Sequence, residues 1–174
     1  MTPVTAEMPT SQLVLRSLVL LGPIVALFAT GPAGHWPPWW LAVPVVGLAG
    51  AFAAMPDSPY GAGVSLAVVV WWTISLSDEL QAEVMVAAAA LVIAHLAAQV
   101  ASYGPAALPI EAATLRRWGL RGVLVLVTVP AVWGVARLLR GEPEQPGIWV
   151  LGAAVALAAT VAATVALGRS GATG

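Results

Sequence analysis

Residues Val84–Val100 read VMVAAAALVIAHLAAQV. The run carries no formal charge, and its only strongly polar side chains are His95 and Gln99 in the second half. A run of this length and polarity suits a helix that crosses the ~30 Å hydrocarbon core of a bilayer. Acids crowd its entrance at Asp78, Glu79 and Glu83. Ser77 offers an N-cap there, and carboxylates favour the positive end of a helix.

The rest of the composition agrees. Of 174 residues, 60% are apolar and 9% charged, with mean hydropathy +0.91. Soluble domains carry about 25% charged residues, so this chain lacks the charge to cover a water-facing surface. The expected class is an all-α, polytopic integral membrane protein.

Working outward, apolar runs are bounded by turn chemistry. Residues 1–11 are polar and proline-bearing and read as a disordered tail. Spans are expected at about 13–30, 39–55, 62–76, 80–103, 115–140 and 148–167, with a short tail at 169–174. The loops between them include Gly31–Pro38 (GPAGHWPP) and Pro56–Gly61 (PDSPYG), rich in turn-forming residues. Together they make a six-helix transmembrane bundle with short loops. Pro23, Pro44 and Pro130 fall inside spans and free carbonyls one turn back. Five spans is the alternative, if the first run is cleaved or spans two and three insert only partly.

Arginine sets the orientation. Arg16, Arg116, Arg117, Arg121 and Arg169 fall on the side of both termini, and Arg137 and Arg140 on the other. Both termini are therefore expected in the cytoplasm. Arg16 is expected to snorkel to the headgroups. Arg116, Arg117 and Arg121 are expected to anchor span five on anionic lipid. Trp36, Trp39 and Trp40, like Trp71 and Trp72, suit an interfacial position. The heavy use of Ala, Gly, Pro and Arg resembles a GC-rich bacterial genome, which would place the chain in a bacterial inner membrane.

Composition also excludes. A net charge of −1 gives no electrostatic reason for nucleic acid as a partner. There is no cysteine, hence no disulfide or thiolate chemistry. All seven basic residues are arginine, so lysine Schiff-base chemistry is excluded. No P-loop, HExxH or GxSxG motif occurs. No catalytic residue, metal site or cofactor is expected.

The polar candidates are few. His95 and Gln99 are four apart and share a helix face with Ser102. They suit either a ligand-binding pair or, more simply, an interhelical hydrogen bond worth about 0.6 kcal/mol. Two histidines, His35 and His95, fall at opposite halves of the membrane, too few for a metal. Glu83 lies deepest among the acids and could form part of a cation-attracting mouth, or pair with Arg137 or Arg140. Small residues supply the clearest packing signal. Gly152, Ala156, Thr160 and Thr164 recur every four residues in span six, Gly47 and Ala51 mark span two, and alanines fill span four. Small-xxx-small ridges let backbones approach closely in lipid.

The expectation is thus a structural or accessory subunit of a membrane complex, embedded in the lipid bilayer and bound to a membrane protein or to itself. The alternative is a small transporter or channel subunit with a polar path near His95 and Gln99.

Overall fold

The computed structural model describes residues 9–76, 81–103 and 112–139. The chain divides into two units, Met1–Leu138 and Leu139–Gly174, and the helices described here all lie in the first. They are α1 (Thr10–Phe28), α2 (Trp39–Ala54), α3 (Tyr60–Ser75), α4 (Glu83–Ala101) and α5 (Ala112–Leu138), with one 3-10 turn at Gly31–Ala33. No strand occurs among the described residues. The expected sixth span at 148–167, with Gly152, Ala156, Thr160 and Thr164, lies outside the described residues.

Among the described residues, three stretches are long and apolar enough to cross a membrane: Thr10–Ala33, Glu83–Ala101 and Thr114–Leu138. Helices α2 and α3 are apolar but shorter, at 16 residues each. That is about 24 Å at 1.5 Å per residue, against a hydrocarbon core of ~30 Å. The protein is therefore an all-helical membrane protein.

Prolines set the helix starts. Pro9, Pro38 and Pro59 each stand immediately before a helix. Pro38 lies just outside α2 rather than in its first turn, and its carbonyl accepts from the Leu41 and Ala42 amides. Pro59 takes helical angles, and its carbonyl accepts from the Gly63 amide. This carries α3 back to Tyr60, two residues before the expected Ala62. The fourth helix differs in the opposite sense. It starts at Glu83 behind Ala82, with no side-chain cap; Ser77, Asp78 and Glu79 lie outside the described residues. Thr10 and Ser11 are helical, so the expected tail is shorter by two residues.

Successive helices alternate in direction, and specific contacts fix this. Arg16 at the start of α1 reaches the end of α2, where Nη1 donates to the Ala53 and Ala54 carbonyls at 2.9 and 2.8 Å. A helix end leaves carbonyls unmet, and Arg16 caps two of them in place of snorkelling. At the opposite end Trp71 and Trp72 reach back from α3 to the end of α1. The Trp72 indole donates to the Ala26 carbonyl at 2.9 Å, and the Trp71 indole to Thr30 Oγ1 at 3.1 Å. Thr30 is fully buried and donates in turn to the Leu27 carbonyl. These two tryptophans are half-buried caps rather than plain interfacial anchors. Trp36, Trp39 and Trp40 do stand exposed. The start of α4 meets the end of α5 where the Trp133 indole donates to the Gln81 carbonyl at 3.2 Å.

The core centres on α1 and α4, joined by Val45, Ala49 and Phe52 of α2 and Val64 and Val68 of α3. On α1 the buried positions are Gln12, Leu15, Val19, Gly22, Pro23, Ala26 and Leu27, a heptad-like stripe. On α4 they are mainly alanines, Ala87, Ala94, Ala97, Ala98 and Ala101. A Cβ added at Gly22 would lie 2.5 Å from the Ala94 Cβ and 2.6 Å from the Ala90 carbonyl oxygen. Only glycine admits that approach, so the two backbones meet as small residues permit in lipid. Gly47 behaves otherwise: a Cβ there would meet nothing within 4 Å. The contact expected of Gly47 is absent from the described residues, because it faces outward from α2.

Two exposed threonine hydroxyls are satisfied within their own helices. Thr73 donates to the Val69 carbonyl and Thr128 to the Val125 carbonyl. A lipid-facing hydroxyl has no water to bond and must find its partner internally.

Candidate functional site

Helix α4 presents three faces. Ala87, Ala94, Ala97, Ala98 and Ala101 are buried in the core. Leu96 approaches α5, where a Cβ on Gly122 would lie 3.1 Å from its Cδ1. His95, Gln99 and Ser102 fall on the third face, at the i, i+4, i+7 spacing that aligns side chains. Its polar side chains hydrogen-bond no other helix among the described residues. It borders a cavity of about 390 Å³ between α4 and the α2–α3 turn.

The opposite wall is built by that turn. The Ser58 amide and hydroxyl both donate to the Met55 carbonyl, at 3.1 and 2.6 Å. This pins Pro56–Ser58 and sets Asp57 and Ser58 in the cavity wall. Phe52 closes the wall from α2. Its ring packs so tightly on Gly61 that a Cβ there would lie 2.5 Å away. Across the cavity the Ser102 hydroxyl donates to the Gln99 carbonyl at 2.8 Å. The His95 ring and the Gln99 amide hydrogen-bond no other side chain among the described residues. The interhelical hydrogen bond expected of them is replaced by a shared cavity wall.

Polar groups elsewhere gather at the two ends of the core seam. Gln12 is fully buried, and neither its Oε1 nor its Nε2 has a hydrogen-bond partner; Ser11 Oγ and Arg16 Nε are buried without partners as well. Gln12 and Arg16 share a face of α1 and lie at the end where α2 stops. At the other end Glu83 stands in the first turn of α4, half-buried, with Oε2 unpartnered. Arg137 does not pair with it; its guanidinium stacks on the Trp133 ring at 5.0 Å. No ion pair and no group of three metal-ligating side chains occurs among the described residues.

Arg116, Arg117 and Arg121 are all exposed near the start of α5. Arg121 stacks on Trp118 at 5.6 Å, and Trp118 packs on Tyr103 with ring centroids 5.5 Å apart. That contact ties the end of α4 to the start of α5. Arg16 and these three arginines thus share one end of the bundle. The second histidine, His35, lies beyond α1 at the other end, exposed, with Nδ1 3.1 Å from the Ala33 carbonyl.

Three polar positions escaped the sequence: Gln12, Thr30 and Asp57. Gln12 does carry a signal, because it falls in register with the stripe of Leu15, Val19, Gly22 and Ala26. Asp57 carries none, since an acid in a proline-bounded turn looks like ordinary turn chemistry.

No protein-family model, curated protein or solved structure matches this chain.

Proposed function

We propose that this chain is a multi-pass structural or accessory subunit of a bacterial inner-membrane complex. Six spans with both termini in the cytoplasm is the topology we favour. Alternating helix directions and the gathering of Arg16, Arg116, Arg117 and Arg121 at one end support it through the positive-inside rule. The observation that carries the functional reading is the closed α1–α4 seam. Gly22 lies against Ala90 and Ala94, and Leu15, Val19, Ala26 and Leu27 are buried on the same helix. Polar groups sit at both ends of the seam, and the buried residues between them are apolar, so no route crosses the bundle there. Helix α5 supplies a surface for association. Only 6% of its spanning window is buried, against 39% for α1 and for α4, and Leu120, Leu124, Val127 and Val132 stand exposed.

A photo-crosslinking residue at Leu124 or Val127, activated in native membranes, tests this. A discrete protein adduct from the α5 positions, absent from an outward α3 position such as Leu66, is expected. Lipid adducts alone from every position would overturn it. Because the chain has no cysteine, single introduced cysteines at Thr5 and Thr173 test the location of the termini without background labelling.

One observation favours a second reading. His95 and Gln99 line a cavity, as a solute-binding subunit of a transporter would require. In this reading the cavity is a binding pocket at one end of the bundle rather than a path through it.

A further inference from the structure

We infer that the end cavity at His95 binds a small protonated primary amine. The inference rests on the second reading above, that this cavity takes a solute, and adds the class of solute.

The argument starts from what the wall offers. The Ser58 hydroxyl donates its single proton to the Met55 carbonyl and the Ser102 hydroxyl donates its own to the Gln99 carbonyl. A hydroxyl has one proton and two lone pairs, so both oxygens present only acceptors to the cavity. Asp57 is an acceptor when ionised. Neutral His95 has one ring nitrogen free to accept, and Gln99 has its amide oxygen. Five polar side chains thus offer acceptors, against donors only from the Gln99 amide and the His95 ring N–H, with Asp57 the single formal charge among them. A ligand rich in donors and positively charged complements this wall. A primary ammonium has three N–H donors and no acceptor.

The ends of α2 and α4 and the start of α3 meet at this cavity. Of these, the α4 C-terminus brings partial negative charge, whereas the α2 C-terminus is met by the Arg16 guanidinium. Arg16 is held by the Ala53 and Ala54 carbonyls, and no arginine is among the described residues that line the cavity. The Phe52 ring adds an apolar wall for an alkyl tail. At about 390 Å³ the cavity falls in the range of small-molecule sites, ~300–1,000 Å³. The observed juxtaposition is therefore one carboxylate, two spent hydroxyls, an imidazole and an amide around a small space with an aromatic floor.

The test uses the full chain in detergent or nanodiscs. His35 and His95 are its two histidines, so His35→Ala leaves a single imidazole whose NMR signals report on the cavity. Three probes of matched size are titrated: n-propylammonium, 1-propanol and propionate. Propylammonium should shift the His95 signals saturably. Propanol should bind roughly tenfold more weakly, as loss of a charge-assisted hydrogen bond implies. Propionate should leave the signals unmoved. Asp57→Asn should weaken propylammonium by roughly tenfold or more. Gln99→Met, at an exposed site, should weaken it by a smaller factor and keeps the test open if the turn variant misfolds. Binding of propionate as tight as that of propylammonium, or unchanged propylammonium affinity in both variants, would overturn the amine assignment while leaving a solute cavity. Silence of His95 toward all three probes would overturn the cavity reading with it.

Discussion

Gly22→Ala is the sharpest perturbation of this fold. An added Cβ would lie 2.5 Å from the Ala94 Cβ and 2.6 Å from the Ala90 carbonyl oxygen. Neither neighbour is the tip of a flexible side chain, so relief requires α1 and α4 to separate. Overpacking of this kind costs roughly 1–3 kcal/mol, and backbone involvement puts it in the upper half. Replacing glycine by alanine inside a helix returns about 1 kcal/mol. The net loss should be about 1–2 kcal/mol. Gly47→Ala is the matched control, since a Cβ there meets nothing within 4 Å; it keeps the helix term alone, a gain of up to about 1 kcal/mol. The two variants should therefore differ by about 2–3 kcal/mol, a factor of roughly 30 or more in the folded-to-unfolded ratio. Unfolding by SDS titration or by thermal melting in mild detergent, on both proteins in one detergent, measures the difference. Ala94→Gly in the Gly22→Ala background removes one of the two clashes and should restore part of the loss. Equal stability of the two alanine variants would refute the account of the seam.

Other substitutions read the remaining contacts, each by the same unfolding assay. Gln12→Leu replaces a fully buried amide that has no hydrogen-bond partner, and should be neutral or stabilising by about 1–2 kcal/mol; a loss larger than that gain would reveal an unrecognised partner. Arg16→Met leaves the Ala53 and Ala54 carbonyls unmet and should cost about 1–3 kcal/mol, with Arg16→Lys recovering part of it. Trp72→Phe keeps an aromatic side chain but removes the donor to Ala26 and the volume of the second ring, a loss of at least about 0.6–1 kcal/mol. Trp39→Phe, at an exposed ring, should be neutral within about 0.5 kcal/mol.

Hydropathy made most of the helices legible, because the bilayer demands long runs of apolar residues and short polar turns. It located α1, α2 and α5 within a few residues. It located α3 and α4 as closely, with α4 starting at Glu83 against an expected start at about 80. Packing was only partly legible. Alanines in α4 were visible as a close-approach surface, but Gly22 was not distinguished from Gly47. Which glycine is used depends on which face meets a neighbour, and an all-apolar helix gives no periodicity to reveal that face. The candidate site was half legible. The helical spacing of His95, Gln99 and Ser102 put them on one face. What lies opposite them depends on where the α2–α3 turn folds, which local sequence does not encode.

That turn explains why a histidine and a glutamine are tolerated in so apolar a helix. His95 stands six residues before the end of α4, about 9 Å along the axis. Alpha-helical spacing carries its face past Gln99 to Ser102, and the Pro56–Ser58 turn lies against the same stretch. The polar groups therefore open toward one end of the bundle, where solvation costs less than at the midplane. Beyond them toward Glu83, Ala94 and Ala90 close on Gly22. A solute entering the cavity would meet this seam, and the closed packing that holds α1 to α4 also forms its inner limit. Enlarging the seam with Ala94→Gly alone should therefore loosen the bundle without extending the polar wall, because no further polar side chain on α4 lies between His95 and Glu83.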